Sequence, residues 1–285
     1  MWAILTAIEC SIKRKIQSIG TPLGQWNVRI NRGILTGCNE AFIINEEKRN
    51  ELIAMDEKSA EIIRPILRGR DIKRYSYSYQ NLYLICTFPS KQYDIDQYPA
   101  VKKHLLSFGI ERLEQSGKTY VINGEKVKAR KKTTNKWFET QDSISYWDDF
   151  SKQKLVWTPV NSEYRFAILP ENVYMNNSLF MIVGENIKTI CGLLNSKLFV
   201  FYLDMLLAGG CYTYGSREFF INVPICRQRT DKVLALDNLV ASITSATEGS
   251  DEYNQLLKEI DDLVYSIYEI SEEEKLFINS LYSQP

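Results

Sequence analysis

Apolar positions recur at helical spacing near both ends of the chain and at strand spacing between them. Ile4, Ile8, Ile12 and Ile16 repeat every fourth residue, and Gly20-Thr21-Pro22-Leu23-Gly24 stops the pattern, so a first helix is predicted over residues 1–18. No capping signal marks its first residue, which is the expectation for a chain cut from something longer. Residues 26–30 alternate as a strand does, and residues 41–44 form a second short strand candidate. Asn45 is the type of residue that caps a helix, here one reaching Met55. Residues 59–66 read as a further helical segment and residues 82–86 as a strand. Tyr120-Val121-Ile122 and Glu125-Lys126-Val127 flank Asn123-Gly124, and both turn residues tolerate positive φ, so a tight hairpin is predicted. Residues 154–157, 165–168 and 180–183 are apolar runs of strand length. Residues 187–206 are apolar around most of the helical circumference and predict one buried helix ending at Gly209-Gly210.

Beyond Pro224 the pattern becomes amphipathic. Val233, Leu236, Leu239, Val240 and Ile243 line one helix, and Leu256, Leu257, Ile260, Leu263, Val264 and Ile267 line a second. Gly249-Ser250-Asp251 joins them into a helical hairpin. There is no internal repeat and no low-complexity segment.

Composition changes this picture in one respect. The 285 residues are 45% hydrophobic and 25% charged, ordinary for a globular protein, with 35 basic against 35 acidic groups. The charge is uneven. Residues 226–285 hold 5 basic and 12 acidic groups, whereas residues 101–136 hold 10 basic and 3 acidic. Such asymmetry suits a body that meets a polyanion and a tail that does not. No run approaches the roughly 20 apolar residues of a membrane span, and the first residues do not form a secretory signal, so a cytoplasmic protein without a membrane partner is expected. Six scattered cysteines without a C-x-x-C pair suggest neither zinc nor disulfides.

Catalytic motifs are hard to find. The chain contains no Pro-Pro, and its only Gly-Gly, at 209 and 210, follows an apolar helix. A methyltransferase active on adenine needs a glycine-rich cofactor loop and an Asn/Asp-Pro-Pro-aromatic motif. Asp94, Asp96, Asp148 and Asp149 lack the Glu-x-Lys partner of a Mg²⁺ nuclease. The single histidine, His104, sits in a Lys-Lys-His-Leu-Leu context that suits a filler better than a catalyst. No phosphate-binding P-loop is present. The chain is therefore expected to be no enzyme, and to hold no metal or cofactor.

Binding features are easier to see. Arg68-Gly69-Arg70-Asp71-Ile72-Lys73-Arg74-Tyr75 carries four cations beside a glycine, a mix that serves phosphate contacts or a solvated loop equally well. From Lys126 the cations Lys128, Arg130, Lys131, Lys132 and Lys136 continue the hairpin into a loop ending on Trp137. A rigid cationic arm can clamp a nucleic-acid backbone or enter a groove; the alternative is a hairpin made soluble by lysine. The loop of Tyr212, Tyr214, Ser216 and Arg217 after Gly209-Gly210 combines close backbone approach with stacking faces, and a plain structural turn remains open. Asn195-Ser196-Lys197 interrupts an apolar helix, as core hydrogen-bonders or as helix-end contacts. Arg32, Thr36, Asn39, Arg70 and Arg74 are placed in turns where base or phosphate contacts, or turn shaping alone, would explain them.

Several of these segments together resemble a known family. Residues 33–44 (Gly-Ile-Leu-Thr-Gly-Cys-Asn-Glu-Ala-Phe-Ile-Ile) and 66–75 (Ile-Leu-Arg-Gly-Arg-Asp-Ile-Lys-Arg-Tyr) are similar to the C-terminal specificity domain of Taq-type adenine methyltransferases, as found in type IIG restriction–modification enzymes. The likeness continues through Lys136-Trp137-Phe138-Glu139, Leu194-Asn195-Ser196-Lys197-Leu198-Phe199, Gly209-Gly210 and residues 219–224, then Glu259 to Tyr265, Tyr268 and residues 271–274. It implies an α+β fold: a mixed α/β target-recognition domain with several short sheets, followed by a C-terminal helical hairpin. It divides the chain into residues 1–25 (a helix and linker from a parent enzyme), 26–225 (DNA recognition) and 226–285 (a docking hairpin). The implied function is sequence-specific recognition of double-stranded DNA. The implied partners are the methyltransferase and nuclease domains of a parent that uses S-adenosylmethionine and, for cleavage, Mg²⁺. Candidate DNA contacts are Arg32, Thr36, Asn39, Arg68, Arg70, Lys73, Arg74, Lys126, Lys128, Arg130, Lys131, Lys132, Lys136, Trp137, Lys197, Tyr212, Tyr214, Ser216 and Arg217. The alternatives are a type I-like specificity subunit docking separate catalytic chains, and an interaction scaffold that never touches DNA.

Overall fold

The computed structural model describes residues 5–159, 163–208 and 217–282. The chain enters through α1 (Ala7–Ile19). This helix does have a start signal. Thr6 Oγ1 accepts from the Glu9 N–H, and the Glu9 carboxylate accepts from the Thr6 N–H, a capping box that corrects the expectation of an uncapped helix.

β1 (Gly20–Pro22) and β2 (Val28–Arg32) follow. Only the end of the strand expected over 41–44 forms: residues 39–42 make a helical turn, α2 (Asn39–Phe42), ahead of β3 (Ile43–Asn45). Asn45 then caps α3 (Glu46–Met55), accepting from the Lys48 N–H at 2.9 Å. The helix expected over 59–66 is replaced by a 3-10 turn (Glu57–Glu61) and β4 (Ile63–Leu67). Pro65 excludes a helix interior, and Ile63, Arg64 and Pro65 pair instead with β5 (Leu82–Ile85).

Next come α4 (Pro99–Leu106), α5 (Ile110–Leu113) and the hairpin of β6 (Thr119–Ile122) with β7 (Glu125–Lys128). The strands β8 (Lys154–Trp157), β9 (Phe166–Leu169), β10 (Tyr174–Met175) and β11 (Phe180–Gly184) precede α6 (Ile187–Asn195) and α7 (Lys197–Ala208). A short α8 (Arg217–Phe220) and β12 (Pro224–Cys226) lead to α9 (Asp231–Ser245), α10 (Asp251–Ile267) and α11 (Glu272–Leu281). The expected C-terminal hairpin is thus present as α9 and α10, with a third helix added.

The class is α+β with several small sheets. One antiparallel sheet has the order β2-β11-β8-β9, and a mixed sheet has the order β10-β4-β5-β3. Two cores flank the first sheet. Leu155, Trp157, Phe166, Ile168 and Ile182 face a core shared with α1, α6, α7 and the C-terminal helices, while Val156, Ala167, Leu169 and Met181 face a second core built on the mixed sheet. Burial on both faces explains why these strands read as continuous apolar runs rather than alternating ones.

The long helix expected over 187–206 breaks at Ser196, where α6 and α7 meet at 73°. Asn195 is fully buried and mates with the backbone of β9: its Nδ2 donates to Phe166 O at 2.8 Å, and its Oδ1 accepts from the Phe166 N–H at 3.1 Å. Asp261 from α10 accepts from the Lys197 N–H at 2.8 Å and satisfies an opening donor of α7. No single helix among the described residues is long and apolar enough to cross a membrane.

Candidate nucleic-acid interface

The hairpin forms as its turn chemistry requires. Asn123 and Gly124 take φ of 50° and 82°, the two positive values a two-residue turn needs to match strand twist. Lys126, Lys128, Lys131, Lys132 and Lys136 are exposed along β7 and the loop beyond it. Trp137 is half-buried and packs edge-on against Phe138 at the rim of the second core.

Arg130 behaves differently and corrects its assignment as a backbone contact. It is 2% exposed and spends its guanidinium on carbonyls: Nε on Leu113 O (2.7 Å), Nη1 on Thr36 O (2.8 Å) and Glu139 O (2.7 Å), and Nη2 on Trp137 O (2.7 Å). Burial pulls its pKa down to about 10, so it stays charged at neutral pH. Gln115, also buried, reinforces this root by donating to Lys136 O, Glu139 O and Thr140 O. The arm is therefore anchored by two inward polar side chains.

The turn after β2 lies against that root. A Cβ on Gly33 would sit 2.0 Å from Asn176 O, so only glycine lets the two backbones approach. Gly37, at φ 76°, would place a Cβ 2.8 Å from Arg130 Cδ. Thr36 is fully buried; its hydroxyl donates to Asn39 Oδ1 at 2.7 Å and accepts from the Cys38 N–H. This corrects Thr36 to a turn-shaping residue, while Asn39 stays exposed beside it. Between turn and arm runs a groove of about 620 Å³ lined by Leu35, Gly37, Arg112, Lys126, Lys128 and Lys131. Arg112 was not singled out from sequence, because a lone arginine in a short helix carries no signal of what it faces.

The second cationic segment is dispersed. Arg68 is held bidentately by Asp71 (Nε–Oδ2 and Nη2–Oδ1, both 3.0 Å), which corrects it from a free cation to a clamp on its own turn. Arg70 is exposed. Lys73 pairs with Glu248 at 2.5 Å in an exposed ion pair. Arg74 donates to Asn195 O, and the Tyr253 hydroxyl donates to Arg74 O, so this arginine is tied to α6 and α10. With Lys197 it lines a cleft against Asp261 and Tyr265 of α10, not the arm's groove.

Arg32 and Arg217 come together elsewhere. Both are exposed and line a second groove of about 620 Å³ with Arg29, Asn31 and Phe180. Arg32 Nε donates to Asn177 O at 2.9 Å. Arg29 and Asn31 reach the buried Asp149, which Lys152 also approaches at 3.3 Å. Tyr212, Tyr214 and Ser216 lie outside the described residues. His104 bonds to Ala41 O through Nε2 at 3.0 Å, and burial lowers its pKa. Among the described residues no cluster of His, Cys, Asp and Glu is arranged to hold a metal ion.

The TaqI-like C-terminal specificity domain model matches residues 64–212. A solved structure of the type IIL restriction-modification enzyme MmeI in complex with DNA is similar in fold, with TM-score 0.54 and 13% identity over 92% of this chain and 36% of that one. The type IIG restriction endonuclease BpuSI gives TM-score 0.49 and 11% identity over 93% of this chain and 34% of that one. The chain thus spans about a third of the length of each. No curated protein matches it in sequence.

Proposed function

The chain belongs to the TaqI-like C-terminal specificity domain family, and on that premise we propose that it recognises a sequence in double-stranded DNA for an adenine-specific DNA methyltransferase of a restriction–modification system. One observation carries this reading. The longest basic stretch of the sequence folds into an arm whose root is pinned by Arg130 to the turn after β2, leaving exposed lysines along a groove. Lysines held on a rigid arm neutralise phosphates, and each contact releases counterions. Asn39, Arg70, Arg32 and Arg217 are exposed side chains of the types that reach base edges. Methyl transfer from S-adenosylmethionine, and cleavage with Mg²⁺, belong in this reading to other domains of the parent enzyme.

A second reading has its own observation. The acidic C-terminal layer exposes Leu234 and, at 71%, Leu276, a surface suited to docking separate catalytic chains as type I-like specificity subunits do. Selection from random duplexes tests the DNA reading under either arrangement. Enrichment of one site by the chain supports it. Binding without sequence preference would remove the recognition role, and no binding at all would leave only an interaction scaffold.

A further inference from the structure

Resting on that DNA reading, we propose that the free face of the β6–β7 ribbon enters the major groove and that Val121 reads the methyl group of a thymine there. The register sets Thr119 opposite Lys128 and Val121 opposite Lys126. All four residues are exposed, whereas Tyr120, Ile122 and Val127 on the reverse face are half-buried. Tyr120 is held on that reverse face by its hydroxyl, which donates to the Glu114 carboxylate. Arg112 Nη1 donates to Lys128 O at 3.2 Å and braces the outer edge of the ribbon. The ribbon is therefore one-sided: one face braced by the protein, the other offered to solvent.

Val121 is 71% exposed in the middle of that offered face. This apolar side chain, paired across the ribbon with Lys126, is left mostly to solvent. The dimensions suit a DNA groove. Two strands about 4.8 Å apart fit a major groove about 12 Å wide. Four residues per strand at about 3.3 Å each make an arm of roughly 13 Å, longer than the groove's depth of about 8.5 Å. Lys126 and Lys128 supply charge complementary to phosphates and to guanine O6 and N7, and only the C5-methyl of thymine offers an apolar contact on the floor of that groove. A lysine-flanked valine is matched to that combination, and the 10 basic against 3 acidic residues of 101–136 bring DNA to it.

The test compares wild type with V121A, an exposed substitution whose thermal unfolding is expected to be unchanged. Each is taken through selection from random duplexes, and every thymine of the enriched wild-type site is then replaced in turn by uracil. Wild type is expected to lose about fourfold in affinity at one thymine, the value of one buried methyl-sized group, and V121A to lose that sensitivity. If wild type enriches a site yet no thymine responds to uracil, or V121A responds equally, the ribbon assignment is overturned while DNA recognition stands. If wild type enriches nothing, the DNA reading falls and this inference falls with it.

Discussion

Arg130 Nη1 donates to the carbonyl oxygen of Thr36 at 2.8 Å, joining the root of the basic arm to the turn on the far wall of the groove. The same guanidinium holds Leu113, Trp137 and Glu139 by their carbonyls, so one buried cation sets the spacing between two loops 94 residues apart in sequence. The groove is thus organised by a buried residue at its root.

Replacing Arg130 by Ala would leave those buried carbonyls without their donor. The expected loss is about 3 kcal/mol, on the scale of a broken buried polar network. Lysine keeps the charge but not the fork, so R130K is expected to recover only part of it. Urea midpoints at constant m-value measure both; a loss below about 0.5 kcal/mol for R130A would show that the arm is anchored by something else.

The arm lysines are expected to act on affinity and not on stability. Alanine at Lys128, Lys131 and Lys132 together, all exposed, should flatten the log–log dependence of DNA binding on salt by up to about 3, at roughly 0.9 per phosphate contact. The melting temperature should stay within experimental error. An unchanged slope would leave these lysines as solubilising surface.

Asp149 carries a pH prediction. It is 2% exposed; burial pushes its carboxyl upward, but hydrogen bonds from Arg29 and Lys152 outweigh that and hold it below its ordinary 3.8. A depressed acid contributes its full stability above the unfolded value and loses it as pH falls through the lower folded value. D149N, similar in shape but uncharged, is expected to cost about 2 kcal/mol at pH 7. The gap from wild type should narrow below about pH 4, as chemical denaturation across pH would record. A gap that widened with acid would contradict the ion-pair assignment.

Lys154 gives the opposite sign. It is fully buried, its Nζ donates to Pro170 O and Val173 O at 3.0 Å, and burial pulls its pKa from 10.5 down to about 8. Between those two values the unfolded chain holds more protons than the folded one, so stability rises with pH there and is flat below. Wild type is expected to gain up to about 3 kcal/mol on K154M between pH 8 and 10.5. The difference between the two proteins isolates this lysine from the tyrosines and cysteines that titrate in the same range. A flat difference would mean that the ammonium is solvated as well inside as outside.

Local chemistry made part of this protein legible from its residues alone. Asn123-Gly124 specifies its own turn through positive φ, Asn45 caps its helix within three residues, and the 3.6-residue stripes of 233–243 and 256–267 form the helices they predict. The Thr6–Glu9 and Ser271–Glu274 capping boxes were equally local signals, and they start α1 and α11. Other features depended on distant partners. Residues 63–67 became a strand because β5 and β10 offer them ladders, and the apolar run of 187–206 bends because Asn195 is claimed by β9 and the Lys197 N–H by Asp261. The basic stretch identified the arm, but nothing in a row of Lys and Arg distinguishes the cations that face solvent from the one that turns inward. Arg130 is selected by carbonyls that only the packed chain gathers around it, since charge is a property of the residue and burial a property of the fold.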